Sequence, residues 1–210
     1  MIFNASPIHG IRSTTAGWGF FIYALVLLAP SAHAQRSEVG VKGGVNAAYE
    51  SFHSPGNAFS IPPRLGACAG LYAIERFKGK ISLQFEVVFS RQGGKGTTQG
   101  VSVDDKLSYL IFPLLCNVQI SPRISLHAGP QYGYLLSASS FGFDVRPSYN
   151  RSELAAAAGV TFDLWKQLSL GIRFTTGLTS TNASAATTRR NQVGQIVLAY
   201  PVFKFSFGVC

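Results

Sequence analysis

The sequence predicts an all-β chain folded as an eight-stranded antiparallel up-and-down transmembrane β-barrel. Three observations predict it: apolar residues recur with a period of two, the segments carrying that pattern run roughly eleven residues, and their connections alternate between short and long. Composition agrees. Only 13% of the 210 residues are charged, 12% are aromatic and 22 are Gly, which is too apolar for disorder and too rich in Gly for a helical bundle.

The N-terminal segment reads as an export signal. Arg12 supplies a basic n-region, Trp18 to Ala29 form an apolar run, and Ser31-Ala32-His33-Ala34 places small residues where a signal peptidase cuts. Residues 1–34 are therefore expected to be a signal peptide and 35–210 the barrel domain. The alternative, a retained anchor, needs about 20 apolar residues to span a bilayer, and this run is shorter. After residue 34 every apolar run is broken by Lys, Arg, Glu, Asn, Gln or Gly, so a membrane is entered by strands.

The first strand, Ser37 to Tyr49, sets Val39, Val41, Val45 and Tyr49 on one face and Lys42 and Asn46 with Gly40 and Gly44 on the other. The second is Arg64 to Arg76. The third, Ile81 to Gln92, opposes Ile81, Leu83, Phe85, Val87 and Phe89 to Ser82, Gln84, Glu86 and Ser90. Leu107 to Gln119, Ile124 to Leu136 and Ser152 to Asp163 follow. The seventh, Leu168 to Leu178, opposes Leu168, Leu170, Ile172 and Phe174 to Ser169, Gly171, Arg173 and Thr175, and Val193 to Phe207 ends the set.

Between these strands, 77–80, 120–123 and 164–167 are short, whereas 51–63, 93–106, 137–151 and 179–192 are long and rich in turn residues. Short turns at one end and long loops at the other match a bacterial outer-membrane barrel with its termini in the periplasm. A soluble barrel would turn the apolar face inward, and alternation alone does not separate the two; unbroken apolar rows and a Gly-rich polar face favour the membrane. Tyr49, Tyr72, Phe77, Phe89, Tyr109, Trp165 and Phe207 lie near strand ends and are candidates for interfacial girdles or for ordinary packing.

Several stretches resemble the outer-membrane β-barrel domain family of porin-like and PorT-like proteins of Bacteroidota. They are Gly40 to Asn46, Ser82 to Gly93, Leu107 to Leu115, Ala128 to Leu136 and Thr176 to Thr179. The resemblance covers nearly all of 35–210 and implies an eight-stranded outer-membrane barrel with no catalytic residue supplied. Pro201 departs from it by interrupting the last strand, as does Asn117 where the family often has Lys.

The polar residues Lys42, Glu86, Gln131, Glu153, Asp163 and Arg173 all fall on faces assigned to the lumen, where charges must pair. They form either a structural network filling a narrow barrel or a proton or ion path. Ser125 and His127 share one side of a strand and raise the option of acyl-transfer chemistry, but no third member is visible. Gly93-Gly94-Lys95-Gly96-Thr97 lacks the frame of a phosphate-binding loop and reads as a flexible extracellular loop. Arg189-Arg190 lies in another long loop, either solvated or near lipopolysaccharide phosphates.

Cys68, Cys116 and Cys210 form no Cys-x-x-Cys pair and, with His53 and His127 far apart, suggest no zinc site; buried unpaired thiols are expected. Removing residues 1–34 takes away Arg12 and no acid, leaving 17 basic against 9 acidic residues, a formal +8. That charge is scattered, which argues against nucleic acid and for an anionic lipid or lipopolysaccharide surface, with an envelope protein as a further partner. The expected role is structural, adhesive or binding through extracellular loops, with no catalysis and no cofactor. A narrow pore or transport subunit, and a lipid-modifying enzyme, are the alternatives.

Overall fold

The computed structural model describes residues 36–54, 57–77, 79–98, 101–165, 167–181 and 188–206. The signal peptide expected over 1–34, Phe207 and Cys210 lie outside the described residues. Among the described residues ten strands follow one another: β1 (Arg36–Ser54), β2 (Asn57–Arg76), β3 (Ile81–Gln92), β4 (Lys95–Thr98), β5 (Val101–Ser121), β6 (Ile124–Ser140), β7 (Phe143–Asp144), β8 (Ser152–Trp165), β9 (Leu168–Gly177) and β10 (Thr188–Ser206). Eight of them pair antiparallel in the order β5-β3-β2-β1-β10-β9-β8-β6, and the β5–β6 ladder closes the ring. β4 and β7 are short additions to β5 and β6.

The apolar face points out. Val45, Leu71, Ile172, Phe174, Ile196 and Leu198 are each 45–57% exposed, whereas Lys42, Asn46, Glu86 and Arg173 on the same or neighbouring strands are 0–7% exposed. That is the sidedness of a barrel solvated by lipid, and it excludes the inward-apolar alternative. At the end carrying the short turns, Trp165, Phe203 and Phe205 are exposed, and toward the other end Tyr132 and Tyr134 face out, as interfacial aromatics do. Tyr72 and Tyr109 are not part of such girdles. Both are nearly inaccessible inside the barrel, because their even or odd register places them on the inward rows of β2 and β5.

Two expectations about the long connections are corrected. Residues 51–63 were expected as loop, yet β1 and β2 continue their ladder to Ser54 and Asn57, and β10 accompanies β1 up to Thr188 opposite His53. The β9–β10 ladder has by then stopped at Thr176 and Gln192. A three-stranded tongue therefore continues about 16 Å past Tyr49. Lys95 to Thr98, within the segment read as a flexible loop, forms β4 and pairs with Val101 to Asp104. Pro201 does not end β10, which continues to Ser206 through a register shift at Val39/Gly40. Cys68 is buried, but Cys116 is exposed on the outward row of β5, contrary to the expectation that both thiols are buried.

Closing eight strands leaves little interior, and Gly44 shows how little. A Cβ at Gly44 would lie 2.0 Å from the carbonyl oxygen of Ile196 on β10, whereas the nearest atom to one at Gly43 is 3.8 Å away. Gly44→Val is expected to lose most of the folded band that shifts on heating in a gel, and Gly43→Val to keep it, since overpacking costs about 1–3 kcal/mol or more. Equal folded fractions for the two variants would show that strand curvature does not depend on the inward glycine.

Candidate functional site

The inward rows of β1, β3, β6, β8 and β9 converge on one carboxylate. Glu86, completely buried, accepts from Lys42 Nζ at 2.8 Å and Gln84 Nε2 at 2.5 Å on Oε1. Arg173 grips it from the opposite wall, Nη1 to Oε2 at 2.8 Å and Nη2 to Oε1 at 2.7 Å. This two-pronged contact joins β3 to β9, and its geometry is the strong form of a carboxylate–guanidinium pair. Arg173 Nε also donates to His127 Nε2 at 3.3 Å. Because that nitrogen accepts, the imidazole hydrogen sits on Nδ1, which faces Thr161 Oγ1 at 3.4 Å. Gly159 makes room for the ring, since a Cβ there would lie 2.6 Å from His127 Nε2.

Of the six residues expected in a lumen network, Lys42, Glu86 and Arg173 are brought together and the other three are not. Asp163 lies exposed at the mouth on the short-turn side and accepts from Ser169 Oγ at 2.7 Å. Gln131 and Glu153 are buried further toward the long-loop end, lining a space of about 10 Å³ with Gln92, Thr175 and Asn191. There Asn46 Nδ2 donates to Ser90 Oγ at 2.8 Å, Gln92 Nε2 donates to the same oxygen at 3.0 Å, and Asn191 donates to Gln92. Period-two patterning assigns a face but not a height, so residues on one face were grouped that lie at different levels.

Beside these polar groups the lumen holds an apolar cluster. Leu107, Tyr109, Ile111, Leu135, Ala138 and Tyr149 pack into it toward the long-loop end, Tyr109 and Ile111 lining the same small space as Gln131 and Glu153. Tyr149 comes from the segment after β7, where Arg146–Ser148 form a 3-10 turn, and its hydroxyl donates to Asp105 Oδ2 at 3.0 Å. The segment is held down further by Asn150, which donates through its backbone N–H to Thr181 O and through its side chain to Ser180 O, both at 2.9 Å. On the other side of the ion cluster a cavity of about 70 Å³ opens toward the short turns, edged by Glu38, Tyr72, Arg76, Asn117, Ser125 and Asp163. Tyr72 donates to Glu38 there at 3.0 Å.

Ser125 and His127 do share the inward face of β6, but the ring bonds of His127 go to Thr161 and Arg173, not to a carboxylate. The arrangement stabilises charge inside a closed wall, and no acid–base–nucleophile relay is assembled around Ser125 among the described residues. Sequence reasoning missed His127, Thr161 and Gln84 as members of the charge cluster. Their inward parity was the available signal.

Glu86→Gln leaves two cations around a neutral amide and is expected to destabilise the barrel by about 3–5 kcal/mol, the cost of breaking a buried ion pair. Lys42→Met keeps the Arg173–Glu86 fork and is expected to cost less. Urea midpoints of the two variants folded in vesicles measure this, and equal midpoints would mean that Glu86 is not the hub.

The family model described as outer membrane protein beta-barrel domain matches residues 30–182. None of the curated proteins matches the sequence. Among solved structures, Neisserial surface protein A is 16% identical, with 79% of this chain and 97% of that one covered and a TM-score of 0.54. Ail, the attachment invasion locus protein of Yersinia pestis, is 17% identical over 80% of this chain and 99% of its own, with a TM-score of 0.48. The likeness of the first bears on the fold, an eight-stranded antiparallel barrel.

Proposed function

Because the chain belongs to the outer membrane protein beta-barrel domain family, we propose that it is a closed, non-catalytic barrel that works through contacts made by its extracellular end. The observation that carries this is the filled lumen: the Leu107–Tyr149 cluster and the buried Gln92 and Asn191 beside it occupy the interior between the ion cluster and the long-loop end. Among the described residues the lumen holds separate spaces of about 70 and 10 Å³, which supports contact over conduction. What faces outward at that end is the tongue of β1, β2 and β10 and the β6–β7 hairpin.

The hairpin is built for display. Phe141 and Gly142 both have positive φ, 49° and 89°, as a two-residue turn of mirror-image type requires, and a non-Gly residue there carries strain. The two rings it presents, Phe141 and Phe143, are 59% and 76% exposed. Exposed aromatics on a rigid turn fit adhesion or docking of an envelope protein. The same reading includes export by a signal peptide cleaved after Ala34, and membership of the PorT-like group of Bacteroidota on the residues of the resemblance.

Recordings of the purified barrel in planar bilayers are expected to show no unitary conductance. Phe141→Ser with Phe143→Ser is expected to lower adhesion of expressing cells to protein-coated surfaces about threefold or more while the heat-shifted band persists. Stepwise conductance in the unmodified protein, with adhesion unaffected by the pair, would move the assignment to a pore.

A further inference from the structure

We infer that the outer wall of β3, β5 and β6 near the long-loop end is a binding site for the phosphorylated headgroup of an outer-leaflet glycolipid. The register places Arg91 opposite Ser108 and Ser108 opposite Ser137, one row across three strands. Directly toward the long-loop end, Lys106 stands opposite Ser139. Since Arg91 pairs with Ser108, Lys106 is its diagonal neighbour, about 7–8 Å away on the same face. Two cations and three hydroxyls thus share one patch, although they are scattered over 49 positions of sequence from 91 to 139.

Neither Arg91 nor Lys106 takes part in an ion pair among the described residues, and the carboxylate nearby, Asp104, is held by Arg64 of β2. The patch borders a surface recess of about 730 Å³, room for a headgroup rather than an ion. The recess lies beside the end of the β2–β3 ladder at Cys68 and Ser90, short of the bridge between Pro63 and Gly94. Leu65, 80% exposed, forms part of its wall. The next outward row toward the midplane is apolar, with Phe89 opposite Leu110 and Leu110 opposite Tyr134, and with Leu136 beside them. Cations and hydroxyls above an apolar row suit a lipid whose phosphates lie at the interface and whose chains run down the wall. The inference rests on the orientation of the barrel and not on what the tongue or hairpin contacts.

The test is lipid retention by the folded full-length protein in detergent, counted by native mass spectrometry with bisphosphorylated lipid A as the probe. Arg91→Gln with Lys106→Gln is expected to lower retention about tenfold, while Arg123→Gln in a short turn at the other end leaves it unchanged. Dephosphorylated lipid A with the same chains is expected to be retained as poorly as by the double variant, and millimolar inorganic phosphate to displace nothing. Equal retention by the double variant, or equal retention of the dephosphorylated lipid, would overturn the site. Displacement by inorganic phosphate would overturn the lipid as its source. Should the double variant not fold, the comparison of the two lipids on the unmodified protein decides alone.

Discussion

A backbone surrounded by hydrocarbon has no solvent to bond with, and this constraint organises the rest of the molecule. Each strand must find two neighbours, so the sheet closes, with β5 meeting β6 and β1 meeting β10. Closure at eight strands then fixes a narrow interior. Inside it, Gly44 lets backbone approach backbone and Gly159 yields space to an imidazole. Apolar side chains in unbroken rows cover the outside, where lipid solvates them.

The interior is sorted by end. Toward the short turns it is ionic and opens into a small cavity; toward the long loops an apolar cluster that includes Tyr149 packs beside buried polar groups such as Gln92 and Asn191. The two halves answer different needs. Lys42 and Arg173 require an anion because an unpaired charge in so confined a space costs several kcal/mol, and Glu86 meets both at once with four contacts that include Gln84. The long-loop half combines shape, which Leu107, Ile111 and Leu135 supply, with polar pairs such as Asn191 to Gln92. A lumen organised in this way is open toward the short turns and packed toward the long loops.

Much of the fold was legible in the sequence because a barrel wall imposes period two on every strand. Val39, Val41 and Val45 against Lys42 and Asn46, or Ile172 and Phe174 against Arg173 and Thr175, suffice to assign faces, and the short turns follow from where the alternation stops. Two features were not legible. The tongue over 50–63 lacks clean alternation in its sequence, so the period-two signal did not mark it as strand. The ion cluster was half legible: parity selected Lys42, Glu86 and Arg173 but also Gln131, Glu153 and Asp163, which lie at other levels. Height in the lumen depends on strand tilt and stagger, quantities that one strand's sequence does not contain. Tyr72 and Tyr109 were ambiguous for a related reason, since an aromatic near a strand end serves the interface or the interior according to a one-residue difference in register.

The bond between Arg173 and Glu86 connects residues 87 positions apart across the barrel, whereas each hairpin joins residues that are neighbours in the chain. Hairpins can therefore assemble early and independently, but the cross-brace exists only when the two walls face each other. Before the seam between β1 and β10 zips, the guanidinium, the carboxylate and the lysine all need water, and a half-closed sheet cannot sit in lipid without them remaining hydrated. Seam closure and charge pairing thus become a single late event. A chain built this way commits to the bilayer all at once, with a high barrier in both directions, and its persistence in the membrane is governed by an unfolding rate rather than by the sum of its contacts.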